Sequence, residues 1–227
     1  MYEIPLFPLN TVLFPGMPLN LHIFEERYKS MLQRVMQTNQ TFGVNLIRNG
    51  AEALGPLPDP HQVGCTARVI SVDALDDGRF NLTVVGDERY RILQVNNSRA
   101  YLTGFVEALP LEKPLSLEIV RGSHILRQRV IHYLRILSHH ARQSDQSESE
   151  LNINLSELEL PEDPLLLVYL SSALLQVPSN EKQSLLEAES AGLLLERVQR
   201  LYRRELAMLP GMLGKTEEQA RTSAWVN

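Results

Sequence analysis

Cysteine is almost absent from this chain: Cys65 is the only one in 227 residues. That excludes an internal disulfide and a cysteine-rich zinc cluster. Excess positive charge is missing too, with 22 Lys and Arg against 27 Asp and Glu and a net charge of −5. The global positive field that non-specific nucleic-acid binding relies on is therefore lacking. No stretch reaches the roughly 18 uninterrupted apolar residues of a membrane span, and the N-terminus lacks the basic-then-apolar order of a secretory signal. We read a soluble, cytoplasmic protein that avoids membranes and phosphate backbones.

Signs of catalysis are equally sparse. His22, His61, His124, His132, His139 and His140 include no i, i+4 pair of the kind that binds a metal on a helix. No Gly-x-Ser-x-Gly turn marks a serine nucleophile, and Cys65 sits in a strand-like run as an inert thiol. The Gly214-Lys215-Thr216 fragment copies the end of a phosphate-binding loop, but the first glycine of that motif would fall at Leu209. A helix precedes the fragment where a strand is needed. We expect no cofactor, no metal and no catalytic residue.

What is present is a chain that is 44% hydrophobic and long enough to bury a core. Residues 4–23 are an apolar run punctuated by Pro5, Pro8, Pro15 and Pro18, which cannot donate to a sheet ladder. They read as a broken or edge strand leading to a turn at Pro15-Gly16. From Phe24 the period changes. Phe24, Tyr28, Met31, Leu32, Val35 and Met36 share one helical face, with Glu25, Glu26, Arg27 and Lys29 toward water.

Strands are expected at Phe42–Ile47, Cys65–Leu75, Phe80–Val85, Arg89–Val95 and Tyr101–Leu109, with Asp77-Gly78 as a hairpin turn and a stop at Gly86. Strands at this spacing suggest a small antiparallel barrel. Arg89 and Arg91, at alternate strand positions, should brace that barrel against acids such as Asp87.

After Pro110–Pro114 the pattern becomes helical: a long helix to about Arg142, a second opened by Asp163-Pro164, a short one capped by Ser179, and a fourth from Ala188 to about Leu209. The arginines of the first face seven acidic residues between Asp145 and Asp163. Exposed pairs of this kind contribute only about 0–1 kcal/mol each. The division expected is a barrel lobe over 1–112, a helical lobe over 113–209 and a frayed tail over 210–227.

Three separated stretches carry a family resemblance. They are the opening run; Gly64-Cys-Thr-Ala-Arg-Val-Ile with Asp77-Gly78-Arg79 and Gly86-Asp-Glu-Arg89-Tyr-Arg91-Ile; and Asp163-Pro164 with Glu181 to Glu187. In order and in register, they resemble the N-terminal, substrate-handling domain of Lon proteases over about residues 4–208. The resemblance implies an α+β fold, with a PUA-like antiparallel β-barrel lobe carrying one helix, followed by an α-helical lobe. It implies a non-enzymatic module binding unfolded or tagged protein segments, with an ATP-dependent protease as a partner and an adaptor role. The ATPase and peptidase modules of such proteases do not fit within this length, so a stand-alone domain is expected. Candidate peptide contacts are Glu26, Arg27 and Lys29 on the first helix. The alternative is an RNA-binding PUA-like module, which the acidic balance disfavours.

Overall fold

The computed structural model describes residues 1–53, 55–112, 116–143 and 160–223, and for 139–143 and 210–223 the backbone alone. Seven strands come first: β1 (Tyr2–Leu9), β2 (Pro18–Ile23), β3 (Thr41–Asn49), β4 (Asp59–Pro60), β5 (Val63–Ala74), β6 (Phe80–Asn96) and β7 (Thr103–Ala108), with α1 (Glu26–Met36) between β2 and β3. Four helices follow: α2 (Leu117–Gln143), α3 (Pro164–Leu174), α4 (Ser179–Leu186) and α5 (Ala191–Ser223). The class is α+β.

The strand path β1, β7, β6, β5, β3 returns on itself because β1 also pairs with β3, in parallel, closing a barrel. Here β1 differs from the sequence reading. It is no edge: Tyr2–Pro5 pair with β7 and Leu6–Leu9 pair with β3. Changing partners midway leaves only a short ladder on each side, and this is how the strand tolerates Pro5 and Pro8. The edges belong instead to β2, which pairs with β6 alone, and to the two-residue β4, which pairs with β3 alone.

A second difference lies at Gly86. No break occurs there, and β6 runs through it for 17 residues. Gly86 donates to Met17 O at 2.9 Å and accepts from Gly16 N at 2.8 Å, so strand and turn are tied together.

Two apolar cores result. Ile4, Leu6, Tyr90, Ile92, Leu102 and Val106 fill the barrel bore. Inside it the Tyr90 hydroxyl donates to Asn45 Oδ1, and Asn45 Nδ2 donates to His61 O at 3.0 Å, satisfying buried polar atoms that would otherwise be costly. The larger core is continuous from Phe7, Tyr28 and Phe42 under α1 to Tyr133, Tyr169 and Tyr202 in the helices, so the two lobes share it. The Phe7 and Tyr28 rings lie 4.2 Å apart between centroids. On α1, Tyr28, Met31, Leu32 and Val35 are buried as the period requires, whereas Phe24 lies before the helix and is exposed.

Asp163 caps α3 as expected, accepting from Leu166 N at 2.8 Å, with Pro164 in the first turn. Asp163→Ala should lower stability by about 1 kcal/mol, read as a fall of roughly 2–4 °C in Tm. An unchanged Tm would show that the cap contributes nothing. Ser179 behaves otherwise: the N-cap of α4 is Pro178, and the Ser179 hydroxyl donates to Asn10 O at 2.9 Å, tying helix to barrel. The last helix extends past Leu209 to Ser223, where a tail was expected. Most of the acidic stretch lies outside the described residues. At its end, Arg127 donates to the Leu160 carbonyl at 3.2 Å and to that of Pro161.

Candidate functional site

The barrel and the helical lobe meet along a seam stitched by polar side chains. Gln183, buried on α4, donates to Val63 O on β5 at 3.0 Å and to Glu187 Oε1 at 2.8 Å. Arg89 reaches from β6 to the end of α4, where Nη1 donates to Leu186 O at 2.5 Å and Ala188 O at 2.7 Å. A guanidinium at a helix C-terminus suits both the unpaired carbonyls and the helix dipole. The expected bracing of Arg89 by Asp87 is therefore replaced by a contact between lobes. Only Arg91 braces the barrel, 3.8 Å from Glu107. Their side chains leave the same strand face, but Arg89 lies beneath α4 and Arg91 is exposed.

Beside this seam opens a cavity of about 320 Å³. Pro15 and Asp87 to Arg89 line it from the barrel, Ala108 to Leu111 from the end of β7, and Leu165 and Tyr169 from α3. Each wall follows from local folding: the Pro15-Gly16 turn held by Gly86, Pro110 just after β7, and the Asp163 cap that starts α3 just before Leu165. The walls are mostly apolar, with a few polar groups, as ligand sites usually are. Burial pushes the Tyr169 hydroxyl up to about 12, opposed by the nearby Arg89 charge. That hydroxyl makes no hydrogen bond among the described residues.

Arg89 is 4% exposed and has no carboxylate partner among the described residues. Its Nε and Nη2 find no acceptor among the described residues. Burial lowers its pKa, as expected for a cation withdrawn from water.

The first-helix residues lie elsewhere, and none of the three lines the cavity. Arg27 is turned back onto its own lobe, 3.0 Å from Glu25, donating to Gly55 O at 3.1 Å and lying 4.8 Å from the Tyr28 ring centroid. Glu26 and Lys29 pair with each other at 2.9 Å on the surface. The fold thus brings Glu26 and Lys29 together and directs Arg27 to the loop after β3. Sequence reasoning missed Leu109, Leu165 and Tyr169, which no motif marks. Only Arg89, a charge in an apolar strand, stood out.

Cys65 is buried on β5 behind Arg89, and desolvation drives its thiol far above the ordinary range. The thiolate is the reactive form, so a thiol-specific chromogenic reagent at pH 8 should leave the folded protein unlabelled and react on unfolding. Rapid labelling of the native protein would contradict this placement. Among the described residues, no three His, Cys, Asp or Glu side chains converge on a metal-sized position. No described helix is long and apolar enough to cross a membrane.

A closed barrel locked to a helical lobe, with a mostly apolar cleft at the junction, defines a two-lobed α+β domain. The chain belongs to the ATP-dependent protease La (LON) substrate-binding domain family, whose model matches residues 3–204. It is 29% identical over 210 residues to Lon protease 2 of Syntrophobacter fumaroxidans, covering 91% of this chain and 25% of that protein. Against Lon protease 1 of Bdellovibrio bacteriovorus it is 28% identical, covering 95% of this chain and 26% of that protein. The chain thus spans about a quarter of the length of the curated relatives it matches. Two solved structures share the fold. They are a Lon N-terminal domain protein from Xanthomonas campestris (TM-score 0.61, 22% identity, 88% of this chain and 97% of that one) and the N-terminal domain of a Mycobacterium avium complex Lon protease (TM-score 0.62, 17% identity, 88% and 96%).

Proposed function

We propose that this domain is a non-enzymatic module that binds unfolded or tagged protein segments in the cytoplasm and presents them to an ATP-dependent protease, as an adaptor. The observation that carries this reading is the cleft at the seam. It is apolar enough to take side chains an unfolded chain exposes, and it is lined from both the barrel and α3. Family membership supports it, because the matching model describes a substrate-binding domain. The net charge of −5 supports protein over RNA as ligand. Glu26, Arg27 and Lys29 enter the proposal as a separate set of polar contacts on α1.

The test is binding of a labelled, permanently unfolded protein, measured by fluorescence anisotropy, against the same protein folded. Binding of the unfolded form only, weakened about tenfold by Leu165→Glu, is expected, because a charge in an apolar cleft costs on the order of 1–3 kcal/mol. Alanine at Glu26, Arg27 and Lys29 tests α1 in the same assay. Absence of binding, or equal binding of labelled RNA, would remove the reading.

A further inference from the structure

The ladder between β2 and β6 has a fixed phase, and the turn before it sets that phase. Gly16 N donates to Gly86 O at 2.8 Å and Gly86 N donates to Met17 O at 2.9 Å, so two residues oppose one, in a bulge whose glycine has φ of 77°. From there bonded and non-bonded pairs alternate, as in any antiparallel ladder, and the register along β2 is unbroken. Leu19, Leu21 and Ile23 therefore spend their N–H and C=O groups on β6. Pro18, Asn20 and His22 turn theirs away from the sheet. The hairpin beyond gives the same phase: Leu75 N donates to Arg79 O at 2.8 Å, so Asn81 and Thr83 face β5 while Leu82 and Val84 face β2.

The outward groups, the N–H of Asn20 and His22 and the C=O of Pro18, Asn20 and His22, take no partner among the described residues. Backbone groups left unpaired in a native fold stand in water, and all three residues are exposed. Native edges are usually blunted by charge, shortness or cover. The β4 edge follows that rule, with two residues and the Arg48–Asp59 ion pair at 2.7 Å. The β2 edge carries no Lys, Arg, Asp or Glu in its six residues. It ends at Phe24, which is 44% exposed beside a dimple of about 40 Å³ lined by Ile23, Tyr28 and Ala53.

Continuity with the cleft decides the occupant. Pro15 forms one of its walls and β2 starts three residues later, so a chain leaving the cleft past that turn can run on to the open edge. Building on the reading that the cleft takes unfolded polypeptide, we propose that the client continues as an added strand on β2, held by main-chain hydrogen bonds to Asn20 and His22. Anchorage in the cleft makes this second contact intramolecular, so a few bonds of modest net strength suffice. A second copy of the domain fits less well. Two β2 strands pairing about a two-fold axis at Asn20 would set Pro18, which has no N–H, opposite His22, with no cleft anchor to offset the cost of association.

The decisive comparison is on the ligand side, so it does not depend on a variant folding. A fluorescein-labelled peptide carries a leucine pair at each end for the cleft, with valine and threonine alternating between them over the length of β2. Versions N-methylated at every valine or at every threonine are titrated beside it by anisotropy. An added strand offers only alternate N–H groups to its neighbour, so one version should bind about tenfold more weakly while the other stays within about twofold of the unmodified peptide. Asn20→Pro removes an outward donor and no ladder bond, so it should leave Tm nearly unchanged and weaken the unmodified peptide several-fold. Equal affinity of the two N-methylated peptides, or failure of the unmodified peptide while unfolded protein still binds, would overturn the inference and leave the reading beneath it intact. Unfolding of Asn20→Pro would also overturn it, by showing that this N–H belongs to the ladder. A concentration-dependent dimer abolished by Asn20→Pro would do the same, by assigning the edge to a second copy. Failure of both the peptide and unfolded protein to bind would remove the inference and the reading together.

Discussion

Arg89→Met should destabilise the protein by about 3 kcal/mol, while Arg91→Met, two residues along the same strand, should cost less than about 1 kcal/mol. The difference comes from what each guanidinium leaves behind. Removing Arg91 breaks an exposed pair at 3.8 Å, of the kind that contributes about 0–1 kcal/mol. Removing Arg89 strands the carbonyls of Leu186 and Ala188 at the buried end of α4, and each unsatisfied acceptor costs about 1–3 kcal/mol. Part of this is offset, because methionine relieves the desolvation of an unpaired cation and fills similar space. Hence the total stays near 3 kcal/mol and does not reach the sum of two full penalties. Urea unfolding followed by circular dichroism measures both variants. Hydrogen exchange should show α4 losing protection before β5 and β6, because the lost contact is the one between lobes. Equal destabilisation by the two variants would mean that the seam is held by apolar packing alone.

The same pair of arginines shows how far the sequence could be read. Alternation placed both on one face of a strand, which is correct, but alternation is a property of one strand and says nothing of what covers that face. The covering element, α4, is about a hundred residues away, and its own pattern, Ser179 to Leu186, is too short to reveal which carbonyls it presents. Elements with strong internal periodicity were legible: α1 from its buried Tyr28, Met31, Leu32 and Val35, and α3 from the Asp163-Pro164 start. The barrel was legible as a set of strands with turns between them.

Pairing was harder to read. Prolines in β1 argued for an edge, because a proline cannot serve a continuous ladder, but a strand that changes partner halfway avoids that demand. The longer edge, Pro18–Ile23, carries its alternation in only six residues between the Pro15-Gly16 turn and a helix, and it is absorbed into the opening run. The residues of the cleft were not legible, since Leu109, Leu165 and Tyr169 come together only when three distant segments meet.

Gly86→Ala should be the more damaging of two glycine replacements, at about 4 kcal/mol, against about 1 kcal/mol for Gly78→Ala. At Gly78 the backbone is left-handed, with φ of 76°, so any side chain is strained, but a Cβ would find open space, with only the flexible end of Lys29 at 3.9 Å. The cost there is the conformational penalty alone, on the order of 1–2 kcal/mol. At Gly86 the cause is contact. A Cβ would collide with the carbonyl oxygen of Phe14, while Phe14 C lies 3.0 Å and Leu13 Cγ 3.1 Å from the same position.

The carbonyl cannot yield cheaply. Met17 N donates to it at 3.1 Å, and Gly86 holds the same turn from both sides, through Met17 O and Gly16 N. Moving the turn away loses those two bonds, at about 0.5–1.5 kcal/mol each. It also shifts Phe14, fully buried and 6.4 Å from Tyr169 between ring centroids, in a core where overpacking costs about 1–3 kcal/mol. The damage should reach function as well. Pro15 belongs to this turn and forms one wall of the cleft, and Phe14 supports the tyrosine that forms another. In conditions where Gly86→Ala is still folded, it should therefore bind unfolded protein more weakly than Gly78→Ala matched for fraction folded. If the two bind alike, or if Gly86→Ala is the milder, then the turn from Phe14 to Met17 is not what shapes the cleft, and its position against β6 is incidental to binding.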